Sequence, residues 1–280
     1  ATGTIDTAWS VFVPGPVTAL AALSGGRIIT GSSGAATNDS GMRVFSSSGS
    51  TVGSFPTGFA TGTYGNVHFI REQADGKILV AYTTGSGFTP TYAIARFTST
   101  FAFDTTFGTG GIVDLRQNFD QEVDPNRGIV GIHAPPLVVR NVVVVGSAPT
   151  AAVKGYQRGF DVKTGQRKWI FHTIPRKGEF GHDTWLNGSD QYTGNTGNWC
   201  QNSADPELGL VYVGVEAPTG DWYGGARPGD NLFGESIVAL DVKTGVRRWH
   251  FQTVHHGVQD RDIPCAPILC DITVDGKKIK

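Results

Sequence analysis

The sequence predicts an all-β chain with a β-propeller-like repeat architecture, built from four-stranded antiparallel blades. Three observations predict it: a turn-forming composition, a short repeat in the first hundred residues, and a different ten-residue repeat in the second half. Glycine accounts for 39 of 280 residues and charged residues for only 17%. That mixture suits many short strands joined by tight turns, because glycine supplies the positive φ such turns demand. Apolar residues at helical spacing over ten or more positions are hard to find, so long amphipathic helices are not expected.

The first repeat pairs Gly26-Arg27-Ile28-Ile29-Thr30 with Gly76-Lys77-Ile78-Leu79-Val80, each followed by a strand-like Arg43-Val44-Phe45 or Arg96-Phe97. Asp6-Thr7-Ala8-Trp9 is echoed by Asp104-Thr105-Thr106-Phe107. Each unit therefore reads as a turn, an apolar strand, a Gly/Ser/Thr loop, a second strand and an Asp-Thr closure. This pattern resembles the delta-60 repeat of secreted bacterial propellers over about residues 2–111, which implies fold rather than activity.

In the second half, Phe160-Asp161-Val162-Lys163-Thr164-Gly165-Gln166-Arg167-Lys168-Trp169 recurs as Leu240-Asp241-Val242-Lys243-Thr244-Gly245-Val246-Arg247-Arg248-Trp249. The physical reading is a hairpin: the aspartate caps the turn, Gly165 and Gly245 take the left-handed position, and the tryptophan four residues on packs back onto the blade. The pattern resembles the tryptophan-docking motif of the pyrroloquinoline quinone (PQQ) dehydrogenases. The likeness runs on through Val113–Arg116, His133–Pro136, Gly194–Trp199, Ala204–Glu207 and His255–Asp262, with membrane-type glucose and alcohol dehydrogenases the most similar. We therefore divide the chain into delta-60-like β repeats over 1–106 and quinoprotein-dehydrogenase-like blades over 107–280.

What the resemblance implies for chemistry is specific. Trp199 matches the tryptophan on which PQQ stacks; the alternative is a blade-packing indole. Asp260 matches the catalytic base that takes a hydroxyl proton as hydride passes to the quinone. His256 is expected to orient the substrate hydroxyl or a carboxylate. Asp262 matches an additional carboxylate found in lanthanide-using and some glucose-oxidising relatives, and Glu216 stands where relatives place an Asn or Thr ligand. Asp260, Asp262 and Glu216 are thus the candidate ligands for Ca²⁺ or a lanthanide, which takes an oxygen-rich shell. Two departures stand against this set: Gln259 replaces a usual Trp, and no carboxylate follows the Val142–Gly146 strand, near Ala151. The alternative for the 255–262 segment is a solvated loop in which Arg261 pairs with an aspartate; for Glu216 it is a surface position.

The resemblance implies oxidation of an alcohol or sugar hydroxyl, with a cytochrome or membrane quinone as electron acceptor. The other function class is a non-catalytic secreted scaffold or binding propeller, and a third reading is a fragment of a larger quinoprotein. A net charge of −1 with interspersed signs does not support nucleic-acid binding. No apolar stretch approaches the roughly 18–20 residues of a membrane span. The chain begins at Ala1 without Met, which we read, with the composition and the resemblance, as a processed periplasmic or extracellular chain. Among three cysteines, Cys265 and Cys270 are either a disulfide or two half-buried strand residues.

Overall fold

The computed structural model describes Val13 and residues 16–279, apart from 34–40, 54, 57–58, 60–64, 86–90, 118, 121–129, 132–133, 150–152 and 221. Asp6–Trp9, His133 and Ala151 lie outside the described residues. The chain forms two compact units, Ala1–Phe119 and Asp120–Lys280, each built from four-stranded antiparallel sheets.

In the first unit, one sheet orders β1 (Val17–Ala22), β2 (Ile28–Ser32), β3 (Met42–Phe45) and β4 (Thr51–Gly53). The other orders β5 (Asn66–Glu72), β6 (Ile78–Thr84), β7 (Thr91–Phe97) and β8 (Ile112–Asp114). The repeat is visible in the placement: Ile28 and Ile78 open the second strand of each sheet, and Arg43 and Arg96 sit in the third. The Asp-Thr closure has a physical function that spacing alone does not reveal. Asp104 accepts from Thr106 through one oxygen, while the other meets Arg96 at 2.9 Å and Lys77 at 2.8 Å. Arg96 is almost fully buried, and a buried cation needs such partners. β5–β8 runs continuously through residue 107, where the two repeat patterns meet.

In the second unit, a short pairing joins β9 (Val130–Gly131) to β12 (Ala148–Pro149). The first large sheet orders β10 (Leu137–Val139), β11 (Val142–Gly146), β13 (Tyr156–Asp161) and β14 (Arg167–His172). The second orders β15 (Ser203–Asp205), β16 (Leu210–Gly214), β17 (Ser236–Asp241) and β18 (Arg247–Gln252). A hairpin of β19 (Ile272–Val274) and β20 (Lys277–Ile279) follows. The β11 strand is a valine run and β16 is largely apolar because both are inner strands with covered faces, and Val142, Val144, Val211 and Val213 share one core with Val238 and Leu240.

Both repeat turns form as their residues demand. Asp161 Oδ1 accepts the N–H groups of Lys163 and Thr164, at 2.9 and 3.0 Å, and Gly165 adopts φ 73°. Asp241 and Gly245 repeat this, at 3.0 and 3.0 Å and φ 71°. Trp169 crosses from the first sheet to the turn of the second, where its Nε1 donates to Val242 O at 2.9 Å. A Cβ on Gly245 would lie 2.6 Å from the indole, and one on Gly159 would fall inside it, so this indole is clasped between two glycines.

Candidate functional site

Antiparallel register brings one end of the β15–β18 sheet together from three strands. Gly214 pairs with Ile237, and Ser236 with Gln252, so the chain leaving β16, entering β17 and leaving β18 converges there. The ladder continues past the strands: Val215 N–H donates to Ser236 O, Glu235 N–H to Glu216 O, and Thr253 N–H to Glu235 O. Glu216, Glu235 and the 255–262 loop are neighbours for that reason.

Trp199 arrives on the segment before β15. This segment is seated by its neighbour Asn198, whose N–H donates to Ser147 O at 2.7 Å and whose side-chain amide donates to Gly214 O at 2.7 Å. A Cβ on Gly146 would collide with Asn198, and one on Gly214 would lie 2.9 Å from Cys200 Sγ and 2.6 Å from Ile263. The two central strands end in glycine because the segment passes so closely over them.

Two carboxylates then tie the segments together. Trp199 Nε1 donates to Asp262 Oδ2 at 2.8 Å, and Asp262 Oδ1 accepts Ala217 N–H at 2.7 Å. Glu216 Oε1 accepts Gly197 N–H at 2.7 Å. Glu216 is buried rather than at the surface. The half-buried indole of Trp199 is thus fixed by its edge, leaving its orientation determined by Asp262. His256 Nδ1 lies 2.8 Å from Gly229 O; a carbonyl only accepts, so Nδ1 carries the proton and neutral His256 keeps Nε2 as its acceptor.

The structure brings Trp199, Asp262 and Glu216 into one hydrogen-bonded circuit, and it does not bring Asp260 into it. Asp260 is exposed, with no hydrogen bond or ion pair among the described residues. Arg261 contacts Gln259 at 2.6 Å and not an aspartate. Cys265 and Cys270 are exposed and unbonded, neither a disulfide nor strand residues, and Cys200 is buried.

Sequence reading missed three residues. Asn198 is buried with an Oδ1 that has no partner. Arg227, also buried, donates to Gly257 O, Gly220 O and Asn231 Oδ1. Glu235 is 1% exposed beneath the 255–262 loop. Burial pushes its carboxyl up to about 7, the Arg227 charge opposing the shift and the Asp262 charge adding to it. The available signals were the glycines closing β11 and β16, and a glutamate set in the apolar run Leu232–Leu240.

A flat heteroaromatic quinone fits what is present: the face of a half-buried indole locked at its edge by Asp262. A metal ion is a different matter. Among the described residues no three His, Cys, Asp or Glu side chains form a group able to hold one, while each Asp262 oxygen accepts one N–H and keeps a lone pair. The arrangement as it stands orients an aromatic platform and does not gather a cation shell. No helix among the described residues is long and apolar enough to cross a membrane.

Comparison with known proteins shows the family. The chain is 34% identical over 183 residues to the quinoprotein glucose dehydrogenase of Escherichia coli (strain K12), covering 62% of this chain and 22% of that one. It is 38% identical over 173 residues to the glycerol dehydrogenase large subunit of Gluconobacter oxydans (strain 621H), covering 59% and 22%. It spans about a fifth of the length of these curated relatives. Among solved structures, the quinohemoprotein alcohol dehydrogenase of Comamonas testosteroni superposes with a TM-score of 0.68 at 22% identity, covering 97% of this chain and 40% of that one. A europium-containing methanol dehydrogenase gives a TM-score of 0.57 at 25% identity, covering 76% and 36%. Residues 92–280 match the family model described as PQQ glucose/ethanol/alcohol dehydrogenase, β-propeller domain, and the chain belongs to that family.

Proposed function

We propose that this chain carries the quinone-facing part of a PQQ-dependent dehydrogenase that oxidises the hydroxyl of an alcohol or sugar. The observation that carries the reading is the Trp199–Asp262 hydrogen bond, reinforced by Glu216 on Gly197. It gives a planar cofactor a preoriented aromatic surface. Trp199 would hold the quinone ring. PQQ, when bound, supplies the two-electron acceptor for hydride from the substrate carbon. Asp260 would take the hydroxyl proton, its exposed carboxylate being accessible to substrate, and His256 would offer Nε2 to the same hydroxyl. A cytochrome or membrane quinone as final acceptor, and a periplasmic or extracellular location, complete the reading. So does a delta-60-like origin for the first hundred residues.

The second reading is a non-catalytic propeller that has kept the platform. A PQQ titration of the chain, with Ca²⁺ or La³⁺ present, separates the two. Saturable tryptophan quenching abolished by Trp199→Ala is expected. So is dye-linked alcohol or glucose oxidation reduced about a hundredfold or more by Asp260→Ala. Absence of quenching at micromolar PQQ with either metal would leave the binding or scaffold reading.

A further inference from the structure

Glu235 is a charged residue type almost wholly removed from water, at 1% exposure, yet it forms no ion pair within 4 Å among the described residues. One of its carboxyl oxygens, Oε1, has no hydrogen-bond partner at all. Its backbone takes φ 50°, an uncommon conformation for a residue with a side chain. Burial, an unpaired oxygen and a left-handed backbone are each unfavourable, and together they persist only where surrounding structure compels them.

The surroundings explain what compels them. The Glu235 carboxylate is pressed against Gly257, so closely that a Cβ there would overlap Oε2. The Gly257 N–H faces that carboxylate, and Arg227 Nη2 donates to Gly257 O. The two peptide units flanking Gly257 are therefore each held, one through its N–H and the other through its carbonyl. Through its backbone Glu235 donates to Glu216 O and accepts from Thr253 N–H and Oγ1. One residue thus links the strand exit bearing Glu216 to the root and the middle of the loop bearing His256, Asp260 and Asp262.

We propose that Glu235 is a positioning residue, which sets the His255–Asp262 loop against the Trp199 platform by seating the loop at Gly257 through the N–H of the 256–257 peptide. This inference rests on the dehydrogenase reading for its catalytic consequence, and on the unliganded chain for its structural one. Glu235 touches no reacting atom; it acts through Gly257 on the placement of His256 and Asp260.

The experiment compares Glu235→Gln, Glu235→Ala and Gly257→Ala, alone and with Glu235→Ala and Gly257→Ala combined. Amide hydrogen exchange over 255–262 in the unliganded chain should quicken about tenfold in Glu235→Ala and in Gly257→Ala, and stay near the parent in Glu235→Gln. With PQQ, quenching of Trp199 should be retained in all variants, while kcat for alcohol falls about a hundredfold in the two alanine variants and is rescued in Glu235→Gln. Because the Glu235 carboxylate packs directly on Gly257, the double variant should lose less than the sum of the singles. Unchanged loop exchange in both Glu235→Ala and Gly257→Ala would overturn the proposal. So would equal losses in the Gln and Ala variants, or additive losses in the double. A parent chain that neither quenches with PQQ nor turns over alcohol would sink the dehydrogenase reading alone, since the exchange comparison still decides the role of Glu235.

Discussion

The two large sheets of the second unit carry the same ten-residue motif and use its tryptophan differently. Trp169 is 6% exposed, clasped between Gly159 and Gly245 with its nitrogen on Val242 O; Trp249 is 44% exposed. Trp249 leans on Tyr212, with ring centroids 5.8 Å apart, and its nitrogen has no acceptor among the described residues. Beneath it stands Ala239, where the first sheet has Gly159. The motif therefore encodes the hairpin, while burial of the indole depends on what a neighbouring sheet presents to it. A sequence repeat is a statement about local geometry, and only half a statement about energy.

The largest expected effect is the loss of that clasped indole. Trp169→Ala should destabilise the second unit by about 4 kcal/mol, whereas Trp249→Ala should cost under about 1 kcal/mol, both read from denaturant midpoints. Equal losses would mean that Trp249 is covered in solution. Next, Gly159→Ala should cost about 2 kcal/mol, because the new methyl must displace a tightly packed ring. Trp169 emission should shift to the red as the indole is pushed toward water. The reciprocal Ala239→Gly should cost about 0.5–1 kcal/mol, from backbone entropy alone. Gly245→Ala should cost about 1–2 kcal/mol for its φ of 71°, with a further loss from the Trp169 contact.

The smallest effect separates the two turns by pH. The Arg248 guanidinium, 2.8 Å from Asp241, holds that carboxyl down at about 2, helped by Thr244 and backbone N–H groups against burial. At Asp161, burial works upward but the N–H groups of Lys163 and Thr164 and the Lys168 side chain win, so the shift is also downward. A depressed carboxyl contributes stability that is present above its unfolded value near 3.8 and is lost as pH falls through its folded value. Acid unfolding of Asp241→Asn should therefore be flatter than that of the parent between about pH 4 and 2. An unaltered acid limb would show that the Arg248 contact contributes nothing there.

The same division explains what could be read from the sequence. The Asp-x-x-Thr-Gly turns were legible because every group involved lies within five residues. So were the paired repeats of the first unit, since strand period and turn glycines are local. Trp199 and Asp262 were recognised as site residues by their motifs, yet their hydrogen bond spans 63 positions and no spacing announces it. Glu235 and Arg227 were illegible for the same reason: each acts on Gly257 from a separate stretch of chain. Asp260 shows the converse, since its motif is plain and its isolation on the surface is not.

The grip of Trp169 on Val242 has one more consequence. Its acceptor is a carbonyl oxygen, a group that every residue at that position would offer. At this one contact, then, cohesion between successive sheets asks for an indole on one side and a glycine turn on the other, beside the apolar core the two sheets share. Such a contact lets one sheet be duplicated beside another, or exchanged for a distant cousin, with the join already matched.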